Sequence, residues 1–143
     1  MNRIIQLFLI VVTGGLTLGG CRYFGGQSSP LTGTNWRLVS LGPDWPVAAA
    51  DGVTLSFDAE GFARGSTGCN EFNGPYEADS SLIELGPLMV TERACQEAFK
   101  MDQERNYLEA LSLAGKFTLL DGEQRLLIST GDGRKPLEFS RIK

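Results

Sequence analysis

Apolar and polar positions alternate through most of this chain, with one helical interruption. Residues 35–40 place Trp36, Leu38 and Ser40 on one face, the mark of a half-buried strand. Residues 53–58 repeat the pattern with Val53, Leu55 and Phe57 inward, and residues 62–66 follow as a third strand after a Glu60-Gly61 turn. Residues 76–78, 81–85 and 88–91 read as further short strands. The period then changes. From Cys95 or Gln96 to Leu113, Met101, Leu108 and Leu111 recur at helical spacing with Tyr107 beside them, and Glu104 lies on the same side. Gly115 is placed to end that helix as a C′ glycine. Residues 116–120, 125–129 and 137–141 are three last strands, joined by Asp121-Gly122-Glu123 and Thr130-Gly131-Asp132-Gly133 turns. Strands, one helix and strands again predict an α+β domain: a curved antiparallel sheet approaching a barrel, with one packed helix.

One segment does not fit the alternation. Residues 65–76 crowd Gly65, Gly68, Gly74, Asn70, Asn73 and Pro75 around Cys69. Gly and Asn tolerate positive φ, so a specific backbone path is expected here rather than a plain strand.

The N-terminus follows different rules. Arg3 precedes an apolar run from Ile4 to Val12, and Leu18-Gly19-Gly20-Cys21 follows. The run has the length of a secretory signal. A permanent spanning anchor needs about 20 mostly apolar residues, and Gly14, Gly15, Gly19 and Gly20 interrupt this one. The last four residues resemble the bacterial lipobox, in which small residues admit the backbone to the peptidase and the cysteine thiol takes a diacylglycerol. Residues 1–20 are thus expected to be a lipoprotein signal peptide, Cys21 the lipid attachment site and residues 21–30 a flexible tether rich in Gly and Ser. A further chain such as palmitate on the freed amine makes the attachment stable, since each buried methylene contributes about 0.8 kcal/mol. A secreted form without lipid is the smaller alternative. Arg22, in the place where inner-membrane lipoproteins typically carry Asp, points by resemblance to the outer membrane, facing the periplasm.

Composition narrows the chemistry. The chain has 13 Lys+Arg against 17 Asp+Glu. Without residues 1–20, which hold Arg3 and no acid, the net charge is −5. With no basic cluster, nucleic acid is not an expected partner. The chain has no His, which excludes Ser-His-Asp and Cys-His mechanisms and His-rich zinc sites. No cofactor or metal is expected, and no spacing singles out a catalytic pair, so an enzyme is not the leading expectation.

The residues 31–143 together are similar to the META domain family (HslJ-like). The resemblance rests on Trp36 in the first strand; Gly68-Cys69-Asn70 with Gly74 and Tyr76; Thr91 and Cys95 ahead of the helix; and Glu104 within it. Glu92 between Thr91 and Arg93 departs from the pattern, in which Arg directly follows Thr. The resemblance implies an envelope lipoprotein linked to heat shock, novobiocin tolerance, secretion or motility.

The cysteines can be weighed apart from the family. An oxidising compartment bridges thiols within reach. With Cys21 taken by lipid, Cys69 and Cys95 have only each other. Such a bridge stabilises by roughly 3–4 kcal/mol in the loop-entropy model. The alternative is a reactive redox pair, which more often takes the form Cys-x-x-Cys.

Three functions remain. The first is a non-enzymatic binding or scaffold module of the envelope, linked to stress or antibiotic tolerance, with envelope proteins as partners. Its candidate binding loop is Asn70, Asn73, Thr91 and Arg93, unless the two asparagines simply satisfy the loop's own backbone. The second is a carboxylate-based hydrolase using Glu104 or another acid. The third is a lipid-binding or inhibitor barrel, which requires an interior not filled by Trp36, Phe57 and Leu108.

Overall fold

The computed structural model describes residues 29–42, 45–48, 51–134 and 136–143. The expected signal peptide, the expected lipid site Cys21 and the expected tether up to residue 28 lie outside the described residues.

Nine strands and one helix follow in the order β1 (Thr34–Ser40), β2 (Thr54–Phe57), β3 (Phe62–Ser66), β4 (Glu71–Asp79), β5 (Leu82–Leu85), β6 (Met89–Val90), α1 (Ala98–Ser112), β7 (Ala114–Leu120), β8 (Arg125–Thr130) and β9 (Leu137–Arg141). All pairings are antiparallel. The strand order is β3-β2-β1-β9-β8-β7-β5-β4, and a β3–β4 pairing closes the ring. The sheet is therefore a closed eight-stranded barrel, not one merely approaching closure, and β6 lies on β4 beside β5.

That closure depends on the glycine-rich segment. Its first part turns, with Gly68 at φ 88°. From Glu71 onward it is a nine-residue strand, not the irregular path expected. The strand tolerates Gly74 and Pro75 because of what lies beside them. On one edge β4 pairs with β6 through Phe72 and Asn73, then with β5 from Tyr76. Gly74 and Pro75 fall at the hand-over, where that edge needs no ladder bond from Pro75. A Cβ on Gly74 would stand 2.7 Å from the Pro87 carbonyl oxygen, so only glycine lets the β5–β6 connection cross there.

Alternation fills the interior. Trp36, Leu38, Leu55, Phe57, Tyr76, Leu126, Ile128, Leu137 and Phe139 are buried inside the ring. An eight-stranded barrel is just wide enough for side chains to fill it. Tyr107 of α1 enters the same core. Its ring centroid lies 5.8 Å from Phe72 on β4 and 6.3 Å from Phe139 on β9. Those strands stand on opposite sides of the ring, so the helix inserts this ring between them and covers one end of the barrel. The Tyr107 hydroxyl donates to the Thr54 carbonyl at 3.1 Å. Burial pushes its pKa well above the ordinary tyrosine value.

Two details of the helix differ from the sequence expectation. It starts at Ala98, and its buried face is Gln103, Tyr107, Ala110 and Leu111. Met101 is 54% exposed and Leu108 only half-buried. A polar residue, Gln103, holds the interior position that the apolar pattern assigned to Met101. Gly115 is not a C′ cap. The helix ends at Leu113 with φ −105°, and Gly115 lies within β7, where the register against β8 shifts between Ala114 and Lys116. It marks a bulge rather than a helix stop.

Candidate functional site

The four residues of the candidate loop separate into two places. Asn70 is 3% exposed, at the end of the Gly68 turn. Its Oδ1 accepts from the Thr91 hydroxyl at 2.9 Å and the Arg93 backbone N–H at 2.7 Å. Its Nδ2 donates to the Arg93 carbonyl and to Glu104 Oε1, both at 3.1 Å. Two acceptor and two donor valences are thus used, the full capacity of an amide. Asn70 clips the start of β4 to the segment before α1 and to α1 itself. Thr67 reinforces the clip: its hydroxyl donates to Glu104 Oε2 and accepts the Asn70 N–H at 2.9 Å.

The Cys69–Cys95 disulfide lies beside this clip, with Cα atoms 5.7 Å apart. It spans 26 residues of chain, so loop closure alone is worth about 3.5 kcal/mol. It ties the same two segments as Asn70. Arg93 contributes backbone only; its exposed guanidinium reaches Glu71 at 4.0 Å, a contact worth little at a surface.

Asn73 lies elsewhere. On β4 the even residues Phe72, Gly74 and Tyr76 point in, so Glu71, Asn73 and Pro75 point out. Register then builds a polar grid on the outer barrel face. Ser56 pairs with Arg64, Arg64 with Asn73, and Asn73 with Met89. One row along, Ser66 pairs with Glu71. The Thr54 hydroxyl accepts the Ser66 N–H at 3.1 Å, and the Thr91 N–H donates to the Glu71 carbonyl at 3.0 Å. The two rows line an open groove of about 540 Å³ whose floor reaches Gly65, Phe72 and Val90. Gly65 is required there, since a Cβ would stand 2.1 Å from the Thr54 carbonyl oxygen.

Arg64 is the groove's cation. Its Nε donates to Asp58 Oδ2 at 2.8 Å, leaving Nη1 and Nη2 without a protein acceptor among the described residues. Asp58 also accepts the Phe62 N–H at 2.7 Å and the Glu60 N–H at 3.1 Å. The Phe62 N–H, then the Arg64 guanidinium, hold its carboxyl below the usual aspartate value.

Asn73 and Thr91 of the expected loop thus line the groove, while Asn70 does not. Thr54, Ser56, Arg64 and Ser66 were missed. Their signal was present in the outward-facing positions of β2 and β3, which carry Thr54, Ser56, Arg64 and Ser66 in register with Asn73.

The META domain family profile matches residues 29–143, from just before β1 to the end of the chain. The chain belongs to the META domain family. A solved structure of a protein from Burkholderia xenovorans is similar to this META domain at TM-score 0.66 and 26% identity, covering 79% of this chain and 84% of that one. A second solved structure shares the fold at TM-score 0.59 and 21% identity, over 75% of this chain and 87% of that one. Comparison with curated proteins gives no match.

Proposed function

We propose that this META domain is a lipid-anchored, non-enzymatic binding module of the bacterial envelope, and that the outer groove is its binding surface. Cys21 carries the lipid, and Arg22 directs the protein to the outer membrane, facing the periplasm. The groove engages a polar, extended segment of an envelope protein and so supports tolerance of heat or antibiotic stress.

The observation that carries this reading is the contrast between the two faces of the barrel wall. Inward positions hold bulky buried side chains, including Trp36 and Phe57, which favours binding on the outside over a lipid held in the lumen. Outward positions of β2, β3 and β4 line up hydroxyl, amide and guanidinium groups in one groove. Glu104 is engaged by Asn70 and Thr67 of its own chain, which favours a structural role over a hydrolytic one.

The test is complementation. The full chain carrying Arg64→Ala and Asn73→Ala is expressed in a strain lacking the gene and challenged with heat and novobiocin. The expected result is the sensitivity of the deletion strain at wild-type protein level. Full complementation by the double variant overturns the groove reading. Cys21→Ser is expected to abolish palmitate labelling and release the protein from membranes.

A further inference from the structure

The Cys69–Cys95 disulfide has the Glu104 carboxylate beside it. The Sγ atoms of Cys69 and Cys95 and a carboxylate oxygen of Glu104 all lie within 4.8 Å of one another. Three different segments supply them: the Gly68 turn, the approach to α1, and α1 itself. All three residues are half-buried. We propose that the reduced protein is a metal-binding form, in which Cys69, Cys95 and Glu104 capture one thiophilic divalent cation of the zinc class.

The donor set suits such an ion. Thiolates select borderline-soft metals over magnesium or calcium. Two sulfurs at about 2.3 Å and one oxygen at about 2.0–2.2 Å make three corners of a tetrahedron, with water at the fourth. A tetrahedron of those bond lengths puts the sulfurs about 3.8 Å apart. Cα atoms separated by 5.7 Å allow this by rotation of the two side chains once the bridge is open.

The surroundings already orient the ligands. Glu104 Oε1 is held by Asn70 Nδ2 at 3.1 Å, and Oε2 by the Thr67 hydroxyl. The same Asn70 Nδ2 stands 3.7 Å from Cys69 Sγ. Donors of this kind on a ligating carboxylate fix its orientation, and their loss commonly costs about 10–100-fold in affinity.

The chemistry balances in two steps. A dithiol reductant delivers two electrons and two protons to the bridge, giving two thiols and becoming a disulfide itself. The divalent ion then displaces both thiol protons to solvent and forms two metal–sulfur bonds and one metal–oxygen bond. The bridged and metal-bound forms are mutually exclusive, so the site reads the redox state of its compartment.

The full mature chain is reduced with a water-soluble phosphine without oxygen, freed of reductant, and titrated with Co²⁺ and then Zn²⁺. The expected result is one Co²⁺ per chain, with thiolate charge-transfer and tetrahedral d–d absorption that Zn²⁺ removes. The oxidised chain shows neither band. Glu104→Gln lowers the affinity by at least about tenfold. Near-UV circular dichroism of the aromatic side chains monitors the fold throughout. Absence of the Co²⁺ bands in the reduced wild type overturns the proposal, as does equal affinity in Glu104→Gln. If reduction unfolds the chain, Zn²⁺ is expected to restore the signal, and failure to do so overturns it as well.

Discussion

Asn70→Ala separates a buried clip from a binding residue, and its cost can be worked from the geometry. The substitution removes four hydrogen bonds between 2.7 and 3.1 Å. The bond to the Glu104 carboxylate is charge-assisted, worth about 1.5–3 kcal/mol, and neutral ones contribute about 1 kcal/mol each. Thr91 and Arg93 are exposed, so water replaces part of what they lose. The net expectation is a destabilisation of about 2–4 kcal/mol. At about 4 °C per kcal/mol for a domain of this size, that lowers Tm by about 8–16 °C. Asn73→Ala is the control. It is half-buried on the outer face, and its side chain makes no hydrogen bond among the described residues, so its change is expected within about 0.5 kcal/mol. Urea and thermal unfolding of both variants under oxidising conditions, monitored by tryptophan fluorescence, provide the measurement. Equal stability of Asn70→Ala and wild type refutes the clip; a large loss in Asn73→Ala refutes the division between the two sites.

Gly65→Ala is expected to destabilise by about 1–3 kcal/mol, because the new Cβ meets the Thr54 carbonyl oxygen and the Phe72 ring, neither of which can yield freely; a denaturation midpoint like that of wild type would contradict it. Tyr107→Phe removes the hydroxyl bonded to the Thr54 carbonyl at 3.1 Å and is expected to cost about 1–3 kcal/mol, since the carbonyl is left without its partner; differential scanning calorimetry reads this. Asp58 titrates below the ordinary aspartate value of 3.8 in the folded state, so its stabilisation is fully present above that value and fades as the pH falls below it. The Tm difference between wild type and Asp58→Asn should therefore shrink from pH 6 toward pH 2.5, and a difference independent of pH would show that Phe62 and Arg64 do not favour the ionised form.

Legibility in the sequence followed the physics of burial. β1, β2, β3 and β9 were visible because one face of each is buried, so alternation survives in Trp36-Arg37-Leu38 and Leu137-Glu138-Phe139. The end of β4 was visible in residues 76–78, but its start was hidden because Gly74 and Pro75 answer to a crossing connection, which no local pattern reveals. With residues 71–75 hidden, the β3–β4 pairing they make was hidden too, and with it the closed barrel. The helix register was misread because Gln103 takes a core-facing position while Phe99 and Met101 face solvent. Asn70 and Asn73 could not be told apart by residue type. What separates them is position: Asn70 lies buried in the turn, and Asn73 on the outer face of a strand.

The ring joins its first strand to its last. β1 pairs with β9, and the Ile142 N–H donates to the Asn35 carbonyl at 2.8 Å. Every other neighbour in the ring is consecutive in sequence except β5 and β7, which are separated by β6 and the helix. A chain delivered amino end first therefore keeps one edge of β1 unpaired until β9 arrives. The slowest contact to form spans nearly the whole domain, where closure entropy is greatest. Ring closure waits for β9: truncation before Leu137 leaves an open, aggregation-prone sheet rather than a smaller barrel.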